Sequence, residues 1–133
     1  MHSFDCKIKI RYYEVDKTGF VHHAQYFNWF DIAQQEFAES MGVNIAELEE
    51  EGFRLLPISN SCNYKTPAVY GDAIIVRLKI TDIKSIRIKF GYEVFREGDG
   101  RLLATGESEH IVVDADMHIT SIAKVFPSIF NTI

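Results

Sequence analysis

Three consecutive runs of alternating apolar and polar residues fill positions 74–114, and they constrain the fold more than any other stretch of the chain. Alternation with a period of two sends every second side chain to one face, which is how a half-buried β-strand is written. The first run aligns Ile74, Val76, Leu78 and Ile80, the second aligns Ile86, Ile88, Phe90, Tyr92 and Val94, and the third covers 102–114. Gly98-Asp99-Gly100 separates the second from the third and predicts a hairpin, so these two strands are expected to be antiparallel neighbours. The third run places Ala104, Gly106 and Ser108 on one face. A row of small residues suits a sheet that a bulky helix must cross.

The helix is found upstream. Over 24–41 the residues Phe27, Phe30, Ala33, Phe37 and Met41 recur at helical spacing, and Gly42 supplies the stop. Asn44 with Glu47 three residues later predicts a capped short second helix through the acidic 47–51 segment. A first strand is expected over 4–12, where Cys6, Ile8, Ile10 and Tyr12 alternate with Lys7, Lys9 and Arg11. A weaker strand over 53–64 is interrupted by Pro57, residues 66–72 form a turn rich in Pro and Gly, and a short strand over 118–122 precedes a helical turn at 127–130.

This order, one strand, one long helix and then strands joined by short turns, predicts an α+β fold with an antiparallel sheet of five or six strands. Long antiparallel strands wrapped around one central helix describe the hotdog fold. A single domain over 1–133 is expected, since 47% apolar content builds a core at this length. The sheet leaves an edge strand to be paired, which predicts a homodimer, with a homotetramer as the next assembly.

Composition removes several function classes. A net charge of -5 argues against a nucleic-acid platform, which needs clustered Lys and Arg. Cys6 and Cys62 fit no ligand spacing, and His22-His23 lacks further ligands, so neither zinc nor another metal is implied. No apolar run is long enough to span a membrane, and residues 1–11 show no secretory pattern, so a reduced, cytoplasmic setting is expected.

The chemistry concentrates in residues 11–26, RYYEVDKTGFVHHAQY. Asp16 follows the first strand, Gly19 permits close approach of backbone to a ligand, and His23 stands where the long helix begins. A helix start presents unsatisfied N–H groups and a positive dipole end, which polarise a carbonyl and stabilise the developing oxyanion. A carboxylate seven residues upstream then attacks that carbonyl or activates a water. Thioesters, with a good thiolate leaving group, suit so modest an apparatus. Tyr26, with Phe27, is placed to line the acyl end of such a site.

The spacing of Tyr12, Glu14, Asp16, Gly19, His23 and Tyr26 resembles the signature of the Tol-Pal-associated acyl-CoA thioesterases and their 4-hydroxybenzoyl-CoA thioesterase relatives. The 66–72 segment TPAVYGD is similar to the turn before their third strand. The resemblance implies Asp16 as catalytic carboxylate, the His23 main-chain N–H on the thioester oxygen, and Tyr12 and the His23 side chain as further polar groups. It implies Lys84 against the coenzyme A nucleotide, a thioester of coenzyme A or acyl carrier protein as substrate, and no cofactor. Lys17-Thr18 departs from the Ala-Gly or Pro-Ala that relatives carry. Two other functions remain open: a hotdog enoyl-CoA hydratase or dehydratase using His23 with Asp16, and a non-catalytic acyl-CoA-binding module.

Overall fold

The computed structural model describes residues 3–131; Met1, His2, Thr132 and Ile133 lie outside the described residues. In chain order these form β1 (Ser3–Lys9), α1 (Gln25–Ser40), α2 (Ile45–Glu50), β2 (Arg54–Tyr64), β3 (Ala73–Ile83), β4 (Arg87–Arg96), β5 (Leu102–Val113), β6 (Ile119–Thr120), α3 (Ile122–Val125) and α4 (Pro127–Phe130). All six strands belong to one antiparallel sheet ordered β1-β3-β4-β5-β2, with β6 added to β5.

The alternating runs become the strands they predict. Ile74, Val76, Leu78, Ile80, Ile88, Phe90, Tyr92 and Val94 are all buried on one face of the sheet. Their neighbours Arg77, Lys79, Glu93, Thr105 and Glu107 alternate onto the other face, which is polar. Ile86 leaves the pattern: it sits in the turn before β4 and is 40% exposed.

Helix α1 lies across the apolar face and buries Tyr26, Trp29, Phe30, Ala33, Phe37 and Ala38. Phe27, expected in the core stripe, is only half-buried, and Trp29 takes the central place beside Phe30. The Phe30 ring stacks on Tyr92 at 4.0 Å with planes 7° apart. Gly106 makes that approach possible, because a Cβ there would stand 2.5 Å from the Phe30 ring.

Three boundaries differ from expectation, each for a tertiary reason. Strand β1 ends at Lys9, because Ile10 N–H is claimed by Asp72 O and residues 12–14 wind into a 3-10 turn. Tyr12 therefore leaves the strand and is 77% exposed. Pro57 does not interrupt β2, which runs through it with a bulge before Ser59. It is tolerated because β2 is an edge strand with a free side. The last strand shrinks to the two residues of β6, since Ser121 already opens α3.

Candidate active site

The loop between β1 and α1 is anchored by one carboxylate that the sequence reading left without a role. Glu14 is 1% exposed and accepts from Arg11 N at 2.8 Å, Arg11 Nε at 3.0 Å, Arg11 Nη2 at 3.0 Å and Trp29 Nε1 at 2.8 Å. Burial by itself would push this carboxyl up; the Arg11 and Trp29 donors outweigh it and hold Glu14 below its ordinary value. Because Trp29 belongs to α1, the contact fixes the loop to the helix.

Beyond Glu14 the loop closes on itself. Val15 bridges Val21, Asp16 N–H donates to Phe20 O at 2.9 Å, and His22 N–H returns to Glu14 O at 2.9 Å. It then clamps onto the turn at 67–72 through Val21 N to Ala68 O at 2.9 Å and Tyr70 N to Gly19 O at 3.1 Å. Gly19 adopts φ +85, a left-handed conformation that glycine enters without strain. The turn is held in its own right, because Arg96 Nε reaches Asp72 Oδ2 at 3.1 Å and Arg96 Nη2 reaches Pro67 O at 3.2 Å.

Asp16 is exposed on this rigid loop. Its Oδ1 accepts from both the backbone N–H and the hydroxyl of Thr18, while Oδ2 has no partner among the described residues. The Thr18 hydroxyl and then the Thr18 N–H, with His22 contributing through space, hold the Asp16 carboxyl below the usual carboxylate range. The group is therefore ionised near neutrality and offers one free oxygen. Thr18, one of the two residues at which the sequence departs from the pattern it resembles, is the one that fixes it.

At the start of α1, Ala24 is the N-cap and makes no side-chain cap. The amides of Gln25, Tyr26 and Phe27 turn back to His22 O, His23 O and Ala24 O, and Ala24 N–H takes His22 Nδ1 at 3.2 Å. His23 N–H has no acceptor among the described residues. Tyr64, at the end of β2, donates to His23 O at 2.8 Å and holds that peptide in place. The two imidazoles stack, with ring centres 4.3 Å apart.

The remaining predicted positions are distributed unevenly. Tyr12 packs edge-on against Tyr70 at 5.7 Å, outside the clamp. Tyr26 is buried between Trp29 and Tyr64, with ring centres 4.6 and 5.0 Å away. Lys84 is exposed in the β3–β4 turn and pairs loosely with Asp82 at 3.7 Å. That turn is separated from the 67–72 turn by the full length of β3, on the order of 30 Å at the usual strand rise. One chain thus brings Asp16, Gly19, His23 and Tyr26 to one end of the sheet and leaves Lys84 at the other. The structure also gathers Asp114, Asp116 and His118, with ligand atoms within 4.8 Å, a grouping the sequence reading did not pick out. Asp114 Oδ1 there caps the β5–β6 turn through the amides of Asp116 and His118.

Comparison with known proteins agrees with this architecture. The model of the Thioesterase-like superfamily matches residues 10–128. An Aquifex aeolicus protein named provisionally as an esterase is 30% identical over 105 residues, covering 79% of this chain and 80% of that one. YneP of Bacillus subtilis, named provisionally as an acyl-CoA thioesterase, is 28% identical over 116 residues, covering 87% of this chain and 83% of its own. The crystal structure of the DHNA-CoA thioesterase from Staphylococcus aureus superposes with a TM-score of 0.91 at 27% identity, over 98% of this chain and 88% of that chain. The chain belongs to the Thioesterase-like superfamily and is a thioester hydrolase of hotdog fold.

Proposed function

We propose that this protein hydrolyses acyl-CoA thioesters, with Asp16 as the reacting carboxylate and the His23 N–H as the oxyanion donor. The observation that carries the reading is the pairing of an unpartnered amide at the opening of α1 with a half-free, ionised carboxylate on the loop clamped to that opening. The thioester oxygen accepts from His23 N–H, and Asp16 Oδ2 either attacks the carbonyl carbon or takes a proton from an attacking water. The carbon–sulfur bond breaks, the thiolate of coenzyme A leaves, and water supplies the hydroxyl of the free acid. Tyr12 and the His23 side chain flank the entrance, while Gly19 and Tyr26 shape the acyl side.

The free edge of β2 supports a homodimer. Antiparallel pairing of two β2 strands sets the Tyr64 end of one copy beside the Arg54 end of the other, and the β3–β4 turn lies at the Arg54 end. Lys84 then meets the nucleotide of a substrate held by the second copy's loop. The 4-hydroxybenzoyl-CoA kinship rests on the Tyr12 to Tyr26 signature and the 66–72 turn, and the Staphylococcus aureus neighbour, a DHNA-CoA thioesterase, makes DHNA-like acyl groups equal candidates.

A hydratase needs a His paired with an acid, and the His23 side chain has no carboxylate partner among the described residues. The deciding experiment is thiol release from a panel of aliphatic and aromatic acyl-CoA and acyl-carrier-protein thioesters, run beside Asp16→Asn. Equal rates for the two proteins remove Asp16 from the mechanism; coenzyme A binding without thiol release converts the reading to a binding module.

A further inference from the structure

We propose that the cleft bounded by α1, α2 and the adjoining ends of β2, β4 and β5 receives the acyl group, and that His110 reads a hydrogen-bonding oxygen at its inner end. The proposal rests on the thioesterase reading and names the substrate class for it: acyl groups carrying a distal hydroxyl or carbonyl.

The cleft has a volume of about 360 Å³, with apolar walls from Phe37, Leu48, Phe53, Leu55, Phe90 and Phe126 and the exposed charged residues Asp31, Glu49 and Arg54 also lining it. A space of this size with mostly apolar walls and few polar groups is what a small-ligand site offers. Two polar side chains of that wall, Gln34 and His110, are the ends of one buried chain. Gln34 Nε2 donates to Tyr92 OH at 2.6 Å, Tyr92 OH lies 2.6 Å from Ser108 Oγ, and Ser108 Oγ lies 2.8 Å from His110 Nε2.

The direction of this chain as far as Ser108 follows from its first member. With Gln34 donating, the Tyr92 hydrogen goes to Ser108; Ser108 then either donates to His110 Nε2, which leaves the imidazole proton on Nδ1, or accepts from Nε2–H, which leaves Nδ1 a bare acceptor. Burial keeps that imidazole neutral, with its pKa pushed down to about 4. His110 is 2% exposed, and Nδ1 is its one polar atom without a partner. A buried ring nitrogen without a partner is rare in folded proteins and calls for an explanation; a ligand oxygen supplies it, a carbonyl accepting from the protonated form or a hydroxyl serving either form.

The occupant is identified by the free edge. Along one chain, His23 and Gln34 are separated by roughly 16 Å of helix, too far for a short acyl group. In the homodimer proposed above, antiparallel β2 strands would set the Tyr64 end that holds His23 beside the partner's 54–57 segment, which lines the cleft. The acyl group of a thioester held at one copy's helix start would then enter the cleft of its partner.

Matched substrates test the assignment: octanoyl-CoA with its terminally hydroxylated form, and naphthoyl-CoA with its ring-hydroxylated form. In the wild-type protein kcat/KM favours the oxygenated member of at least one pair by about tenfold or more. His110→Phe brings that ratio to within about twofold and Ser108→Ala falls between, because a polar recognition contact discriminates where apolar packing does not. A merely structural His110 lowers both members together and leaves the ratio unchanged. A wild-type ratio near one for both pairs, or an unchanged ratio in folded His110→Phe, overturns the proposal. If the wild type releases no thiol from any substrate, the thioesterase reading fails, and the cleft is judged by titrating free hydroxynaphthoic acid. Perturbation of the His110 imidazole resonance then upholds the site, and a silent His110 overturns it.

Discussion

Glu14 and Asp16 are carboxylates two positions apart on one loop, and the fold gives them opposite surroundings. Glu14 is buried and meets four donor contacts from Arg11 and Trp29, so it has nothing left to offer a substrate. Asp16 is exposed and commits one oxygen to Thr18. Both are held below their ordinary values, by different means: Glu14 by donors that overcome its burial, Asp16 by a local turn in solvent. A lowered carboxylate by itself does not mark a catalytic one; the difference lies in whether a lone pair stays accessible.

The sharpest way to break this contrast is Asp16→Asn. It keeps an oxygen for the Thr18 amide and leaves the melting temperature near wild type, while kcat falls about 100-fold or more. Thiol-release kinetics beside a thermal melt measure both, and a large loss of stability with an unchanged rate would reverse the roles of the two residues. Glu14→Ala is expected to do the opposite. It strands the Trp29 N–H in the core and costs roughly 2 to 3 kcal/mol of unfolding free energy, less than a fully buried pair because Arg11 is half in solvent. Urea unfolding reads this value.

The pH dependence of stability separates the pair further. Since the folded Glu14 pKa is lowered from 4.5, its contribution is complete above that value and is lost as pH falls through the folded pKa. Wild type should therefore lose stability on acidification more steeply than Glu14→Gln, as followed by melts from neutral pH downward. Thr18→Val has the smallest effect. It deletes the hydroxyl bond to Asp16 and keeps the amide bond, so the Asp16 pKa returns toward 3.8 and the acid limb of kcat/KM moves up with it. The accompanying loss of rate is roughly threefold, as the carboxylate loses part of its orientation.

Much of this was legible in the residues. The strands at 74–114, the helix with its Gly42 stop and the Asn44 cap were readable because each is encoded by near neighbours: a period, a stop, a cap. Asp16, Gly19 and His23 were readable as a cluster because one loop carries all three. Lys84 shows the limit, since its sequence context says nothing of which end of the sheet it occupies. Thr18 was noticed only as a departure from a pattern, and its bond to Asp16 became visible once the loop was folded.

Sequence alone determined the α+β class, the helix that crosses the sheet and the small residues beneath it, because periodicity and side-chain size act over a few residues. Tertiary structure decided that β2 crosses to pair with β5 and leaves an edge, and that Glu14 is sealed while Asp16 stays open. It also joined Gln34 to His110 through two strands. Those outcomes depend on partners tens of residues away, and whether a charge is buried or a donor satisfied is settled only when distant segments close around it.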